Sequence, residues 1–341
     1  MTDIKEKKNK FKFYYKATSL AVIVIQVLIL LFMAIKGRSE QFDSTYKLFV
    51  IFAYADIIAM AIVEIIDDLA SGNGVFIINY LYSRIKYKNQ IIDIGLARLK
   101  QRYNGTALGW MWAVIRPTLT IFVFWFGIEM GLRSGGKVGE YPYFLWLIAG
   151  FVPWFYMSDM ITYGAGCIRN NQYLLKVGDF PVITIPTITG VSLFPVHLVM
   201  VLTTILIFLA SGFRLDFYLL QLPLYMLMMF VLFDFWSLFA GTLSTISRDF
   251  QNLVNSILTP LFWLSGIIYN VEGMKNIWIR TILELNPITV IVTGYRHCFI
   301  DKVWFFQRPV EMVNFGILLG IMIILAAKAD KKFGKILPDM L

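Results

Sequence analysis

Apolar runs long enough to cross a lipid bilayer punctuate this chain, and no other feature restricts its fold as severely. A hydrocarbon core of about 30 Å requires roughly 20 apolar residues in a helix. Seven stretches between charged residues approach that length: 17–35, 47–66, 110–132, 143–163, 182–210, 217–243 and 312–327. An eighth, 254–269, reaches only about 24 Å at 1.5 Å per residue and counts as a span with little tilt. Backbone polar groups find no water inside lipid, so runs of this kind must be helical. The chain reads as an all-α integral membrane protein. Composition excludes the alternative, because 58% hydrophobic and 16% charged residues fall far from the roughly 25% charged residues of soluble domains.

The net charge of +9 would raise the question of nucleic acid in a soluble chain; here it is a topology signal, and no nucleic acid partner is expected. The first run exceeds a secretory h-region and no small-x-small cleavage site follows it, so it stays as a span. Eight spans put both termini on one side. With that side cytoplasmic, 20 of the 31 basic residues face inward, as the positive-inside rule requires. Cys167 and Cys298 then lie on opposite faces of the bilayer and cannot pair. With His197 and His297 they are too scattered for a zinc site, which needs closely spaced ligands.

Beyond residue 269 the pattern breaks. The pieces 271–285 and 288–300 are too short to cross, and Asn286-Pro287 joins them. Proline disfavours helical geometry in the residue before it, so a bend is expected at Asn286. Outer re-entrant half-helices fit this stretch, with Asn286, Pro287 and Arg296 as an outer gate. An unpaired arginine at the centre of a membrane helix costs at least about 2.5 kcal/mol. Arg296 is therefore expected to pair with Glu284, with backbone carbonyls at the bend, or with water.

The segment 90–103, QIIDIGLARLKQRY, places Ile92, Leu96, Leu99 and Tyr103 four, three and four residues apart. That spacing predicts one helical stripe, flanked by Arg98 and Arg102 on one side and Lys100 on the other. Such a helix lies flat on the inner leaflet. Asn104 and Gly105 end it, and the chain turns upward through Trp110 and Trp112 at interface depth.

At this point the run LARLKQRYNGTALGWMWAVIRP resembles the entry of permeases of the type-2 ABC exporters that move polysaccharides, O-antigens and teichoic acids. LLKVGDFPVITIP, SRDFQNLVNSILTPLFWLSGIIY and LELNPITVIVTGYR follow in the family's order. The resemblance implies a six-span exporter unit over 82–341, forming a homodimer in a bacterial cytoplasmic membrane. It also implies two separate ABC ATPase subunits that carry ATP and Mg. The chain agrees, having no G-x-x-x-x-G-K-[ST] phosphate loop; it is read as a transport subunit rather than an enzyme, with no cofactor of its own. Residues 1–81 add two N-terminal transmembrane helices that the six-span pattern lacks.

The expected cargo is a lipid-linked polysaccharide or teichoic-acid-like polymer. Its diphosphate needs cations, for which Arg98, Arg102 and Arg116 are the inner-leaflet candidates, arginine being able to pair with phosphate bidentately. ATPase coupling is assigned to Arg98 and Arg102 of the flat helix and to Arg169, Asn170, Gln172 and Tyr173 of the turn after 143–163. A glycan path needs aromatic faces for sugar C–H surfaces beside polar partners for hydroxyls; Phe122, Trp125, Phe126, Trp154, Phe155 and Tyr156 are the candidates. Glu129 and Asp159 read as solvated span ends, and His197 and Asp234 as partners of neighbouring helices. An ion-gradient transporter using Asp56 and Glu64, a membrane glycosyltransferase or polymerase, and an ABC exporter of a small lipid or drug stay open as alternatives.

Overall fold

The computed structural model describes residues 75–131, 137–176, 180–214, 216–334 and 337. The expected spans 17–35 and 47–66, with Asp56 and Glu64, lie outside the described residues. The helices are α1 (Phe76–Lys86), α2 (Lys88–Tyr103), α3 (Trp112–Gly131), α4 (Tyr143–Ala165), α5 (Gln172–Lys176) and α6 (Ile185–Ala210). After these come α7 (Leu222–Ile246), α8 (Arg248–Trp263), α9 (Ile277–Glu284), α10 (Pro287–Arg296) and α11 (Pro309–Phe333). A two-stranded antiparallel hairpin, β1 (Lys137–Val138) with β2 (Tyr141–Pro142), joins α3 to α4. The chain divides into two compact units, and the larger comprises Ile77–Val271 with Leu283–Leu341. In the smaller, which includes Glu272–Ile282, Asn276 caps α9 by accepting from the Ile279 amide, and Arg280 donates to the Glu272 carbonyl over 2.9 Å.

Five helical stretches among the described residues are long and apolar enough to span: Gly109–Gly131, Tyr143–Ala165, Val182–Ala210, Phe217–Ile246 and Pro309–Phe333. The protein is therefore a multi-pass membrane protein. Its centre is α4, which packs against α3, α6, α7, α8 and α10. In α4, 78% of the apolar stretch is buried, against 11% in Gly109–Gly131; the first is a core column and the second a peripheral wall.

The expected eighth span differs. Its helix begins earlier, at Arg248, and ends at Trp263 after 16 residues, so 254–269 is not one helix. Arg248 and Asp249 stop an apolar run but not a helix, and Asp249 in the first turn complements the helix dipole. The chain leaves α8 through a turn in which Gly266 has φ +62°, a backbone state that L side chains rarely adopt.

The flat helix packs on the bundle through a face that the apolar stripe alone does not name. It ends at Tyr103, with Asn104 extended and Gly105 at φ +80°, as the sequence implied. The buried row, however, is Ile91, Gly95 and Leu99, while Ile92 and Leu96 are each 46% exposed. Gly95 is the reason: a Cβ there would meet Val191 and the Ile188 carbonyl, so the missing side chain lets α2 lie directly on α6.

One buried charge ties α1 to this bundle. Asp234, near the middle of α7, is fully buried. Its Oδ2 accepts from Arg84 Nη2 at 2.6 Å, from the Tyr80 hydroxyl and from Thr187 Oγ1 at 3.3 Å. Arg84 also donates to the Ile183 carbonyl at 3.1 Å and stacks on the Tyr80 ring, which in turn stacks on Phe235. Burial and the Asp234 carboxylate push the Tyr80 phenol far above its ordinary range, so it remains a donor. Neighbouring helices thus pair one oxygen of Asp234, while Oδ1 is buried without a hydrogen-bond partner among the described residues. Removing one partner of a buried ion pair strands the other. Arg84→Ala is expected to destabilise the purified chain by about 3–5 kcal/mol and Arg84→Lys by less, as read from thermal unfolding in detergent; equal stability of all three would show that the pair does not hold α1.

Candidate functional site

A cavity of about 330 Å³ opens where the end of α2 meets α3, α4 and α6. Arg102, Tyr103 and Thr106 form its rim; Trp112, Ala113, Arg116, Pro117 and Thr120 form the α3 wall. On α4 it runs from Tyr163 through Asp159, Tyr156 and Phe155 to Val152, about 16 Å at 1.5 Å per residue. Leu193, Val196, His197 and Met200 of α6 close the back. Its volume lies at the lower end of the range for small-molecule sites.

Local sequence explains the wall. The extended Asn104 and the positive φ of Gly105 and Gly109 reverse the chain, bringing Arg102 and Arg116 into one space although they lie on different helices. The Arg102 guanidinium sits 4.8 Å from the Tyr163 ring centre. Among the described residues, neither the Arg116 guanidinium nor the Asp159 carboxylate makes a hydrogen bond or ion pair. Both arginines nevertheless lie within electrostatic range of Asp159. Burial raises the Tyr103 phenol above its ordinary value, so it is a neutral donor. His197 Nε2 meets the Tyr295 hydroxyl at 2.8 Å.

Of the three diphosphate candidates, Arg102 and Arg116 share this cavity, whereas Arg98 points elsewhere. Of the aromatic candidates, Phe155 and Tyr156 line it. Phe122 and Phe126 are more than half exposed on α3, Trp125 packs edge-on against Phe144, and Trp154 is buried against Phe262. Asp159 and His197, read in the sequence as a span end and a packing residue, also face the cavity. The signal for Asp159 was available in its spacing, four residues from both Phe155 and Tyr163. Glu129, read as solvated, has Oε2 buried with no hydrogen-bond partner among the described residues.

The two segments assigned to coupling meet at one end of the bundle. Arg98 Nη2 donates to the Tyr173 hydroxyl at 3.2 Å on an exposed surface. Asn170, Gln172 and Tyr173 are exposed. Arg169 is instead partly buried and donates to the Ser244 carbonyl of α7 at 2.6 Å, a helix-end tie.

Asn286, Pro287 and Arg296 cluster at the break after α8. Asn286 is extended (φ −72°, ψ 122°) and caps α10 by accepting from the Ile288 amide, so the bend lies where Pro287 placed it. Its Nδ2 donates to the Leu264 carbonyl and Ser265 Oγ. Arg296 is 4% exposed; it donates to the carbonyls of Gly266 at 2.7 Å, Ile267 at 2.6 Å and Trp146 at 3.4 Å. It stacks on the Trp146 ring, and a Cβ on Gly150 would overlap its guanidinium. Tyr143 takes the Ile268 carbonyl at 2.7 Å. A helix that stops within apolar surroundings leaves carbonyls without donors; here side chains supply them. Hydrogen bonds to a charged group are worth about 1.5–3 kcal/mol each. Thermal unfolding should therefore rank wild type above Arg296→Lys and Arg296→Ala lowest, and an unshifted Ala variant would refute the role.

Comparison with known proteins agrees with this arrangement. The ABC-2 type transporter family matches residues 89–300. The O-antigen export system permease protein RfbA of Myxococcus xanthus is 24% identical over 220 residues, 63% of this chain and 82% of that protein. A permease of the same name from Klebsiella pneumoniae is 25% identical over 245 residues, covering 70% and 91%. The polysialic acid transport protein KpsM of Escherichia coli is 23% identical over 201 residues, covering 58% and 76%. The family match runs from the flat helix α2, through the cavity, to the arginine-capped break, and the chain belongs to the ABC-2 type transporter family of membrane transport permeases.

Proposed function

We propose that this chain is the membrane subunit of an ATP-driven exporter of a lipid-linked polysaccharide, working as a homodimer with two ABC ATPase subunits. The observation that carries the reading is the meeting of Arg102 and Arg116 in one cavity, both uncommitted to any hydrogen bond with the described residues. Two guanidinium groups at a polar rim, above an apolar and aromatic interior, suit a diphosphate attached to a polyprenyl tail. Paired charge-assisted hydrogen bonds give arginine the stronger grip on phosphate. Relatives named for O-antigen export and for polysialic acid transport support a polysaccharide as the cargo.

ATP hydrolysis falls to the partner subunits, because this sequence lacks a phosphate loop. The Arg98–Tyr173 contact supports the flat helix and the 168–176 turn as one gripping surface. Force applied there reaches α7 through Arg169 and the Ser244 carbonyl. The apolar runs 17–35 and 47–66 support two further spans ahead of the exporter unit. The basic-residue distribution supports a bacterial cytoplasmic membrane location with both termini in the cytoplasm.

Two measurements test this. With the partner ATPase in proteoliposomes, Arg102→Gln with Arg116→Gln is expected to lower binding and export of the lipid-linked polymer about tenfold or more, the loss of about 1.4 kcal/mol, while subunit assembly persists. Unchanged binding would remove the cavity from the pathway. Topologically, a cysteine replacing Lys137 in the β1–β2 hairpin should react with an impermeant thiol reagent from outside the cell. The two native cysteines are buried and add little background. Labelling of that position only after permeabilisation would invert the orientation.

A further inference from the structure

The cavity holds more than a phosphate would use. Phe155, Asp159 and Tyr163 fall at successive four-residue steps on α4, where helical geometry stacks side chains on one face. All three line the cavity. A carboxylate is thus set between two aromatic rings, and it accepts no hydrogen bond from the described residues. For an anion alone this is a poor lining, since Asp159 repels it. For a sugar it is well matched: hydroxyls donate to a carboxylate, and the C–H faces of the ring pack on aromatic rings. Arg102, over the Tyr163 ring, and Arg116, on the facing wall, mark where an adjoining diphosphate would sit. Thr120, one turn above Arg116 on α3, spends its hydroxyl on the Arg116 carbonyl, whereas the Tyr156 hydroxyl, beside Asp159 in the lining, is buried with no partner among the described residues.

We infer that the Phe155–Asp159–Tyr163 ladder is a sugar-selecting subsite that recognises the first sugar attached to the lipid diphosphate. This deepens the exporter reading and rests on it. The transported polymer is thereby chosen at its linkage end, on one sugar, rather than along its length.

The test measures binding of two probes to the purified full chain in lipid nanodiscs. One is polyprenyl diphosphate, and the other is the same lipid bearing a single hexose or N-acetylhexosamine. Wild type is expected to favour a glycosylated probe by about tenfold or more, because a site built to bond a hydroxyl rejects the ligand lacking it. Asp159→Asn should abolish that preference while tightening the bare diphosphate, which loses a repelling neighbour. If Asp159 is only a counter-ion to the arginines, both probes tighten equally and the preference survives, which overturns the subsite. Phe155→Leu should weaken the preference and Phe155→Tyr retain it; this pair decides the matter where Asp159→Asn does not fold. Equal wild-type affinity for bare and glycosylated lipid also overturns the subsite while leaving the exporter reading intact. Failure of wild type to bind either lipid would instead count against the lipid-linked exporter reading, and no weakening by Arg116→Gln would remove the cavity from the pathway and the subsite with it.

Discussion

The buried Asp234 carboxylate is the interaction on which the rest of this bundle depends. In an apolar interior an unpaired charge is far more costly than the pair it belongs to. The Arg84–Tyr80–Thr187 cage is therefore required once Asp234 is present. Because two of its members come from α1, the cage fixes the segment just before α2. With α1 held, Gly95 can bring α2 against α6, and the end of α2 then supplies Arg102 to the cavity. A charge in the middle of α7 thus sets the position of a guanidinium at the mouth of another site.

Much of this was legible in the sequence, where a single physical rule governed the outcome. Span length and the absence of water in lipid identified the long helices. Asn104-Gly105 stopped α2, and the Asn286-Pro287 bend followed from steric restriction before proline. What escaped the sequence depended on partners distant in the chain. The Ile92–Leu96–Leu99–Tyr103 stripe marks the apolar face of α2, and the helix meets the bundle through Ile91, Gly95 and Leu99. Close approach to α6 favours a missing side chain over a hydrophobic one, and hydrophobic periodicity does not register an absence. In the same way, 254–269 is not one helix: the chain turns after Trp263, and Arg296, 27 residues beyond the end of that stretch, takes the turn carbonyls of Gly266 and Ile267.

Of the candidate site, the residue types were legible and their grouping was not. Arg98, Arg102 and Arg116 looked equivalent as inner-leaflet cations. The turn between α2 and α3 gathers two of them and leaves the third beside Tyr173. The aromatic candidates divided similarly, since α3 turns Phe122 and Phe126 outward while α4 turns Phe155 and Tyr156 toward the cavity beside it. Asp159 was undervalued because a carboxylate near a span end is usually hydrated; its setting between two rings depends on a wall that another helix provides.

The two walls of the cavity are unequal in how firmly they are held. The α4 wall belongs to the most buried of the five spans, whereas the α3 wall belongs to the least buried of them and is reached through Gly105 and Gly109 at positive φ. The site is built like a vice, with one jaw, carrying Asp159 and the aromatic rings, set in the core and the other, carrying Arg116, at the periphery. Its grip on a ligand is then a function of jaw separation rather than of which groups are present. On the proposed binding mode, an outward displacement of α3 would lengthen the Arg116 contact alone, because Arg102 rides on α2 and Asp159 on α4; the two guanidinium groups would then release an anion in sequence rather than together.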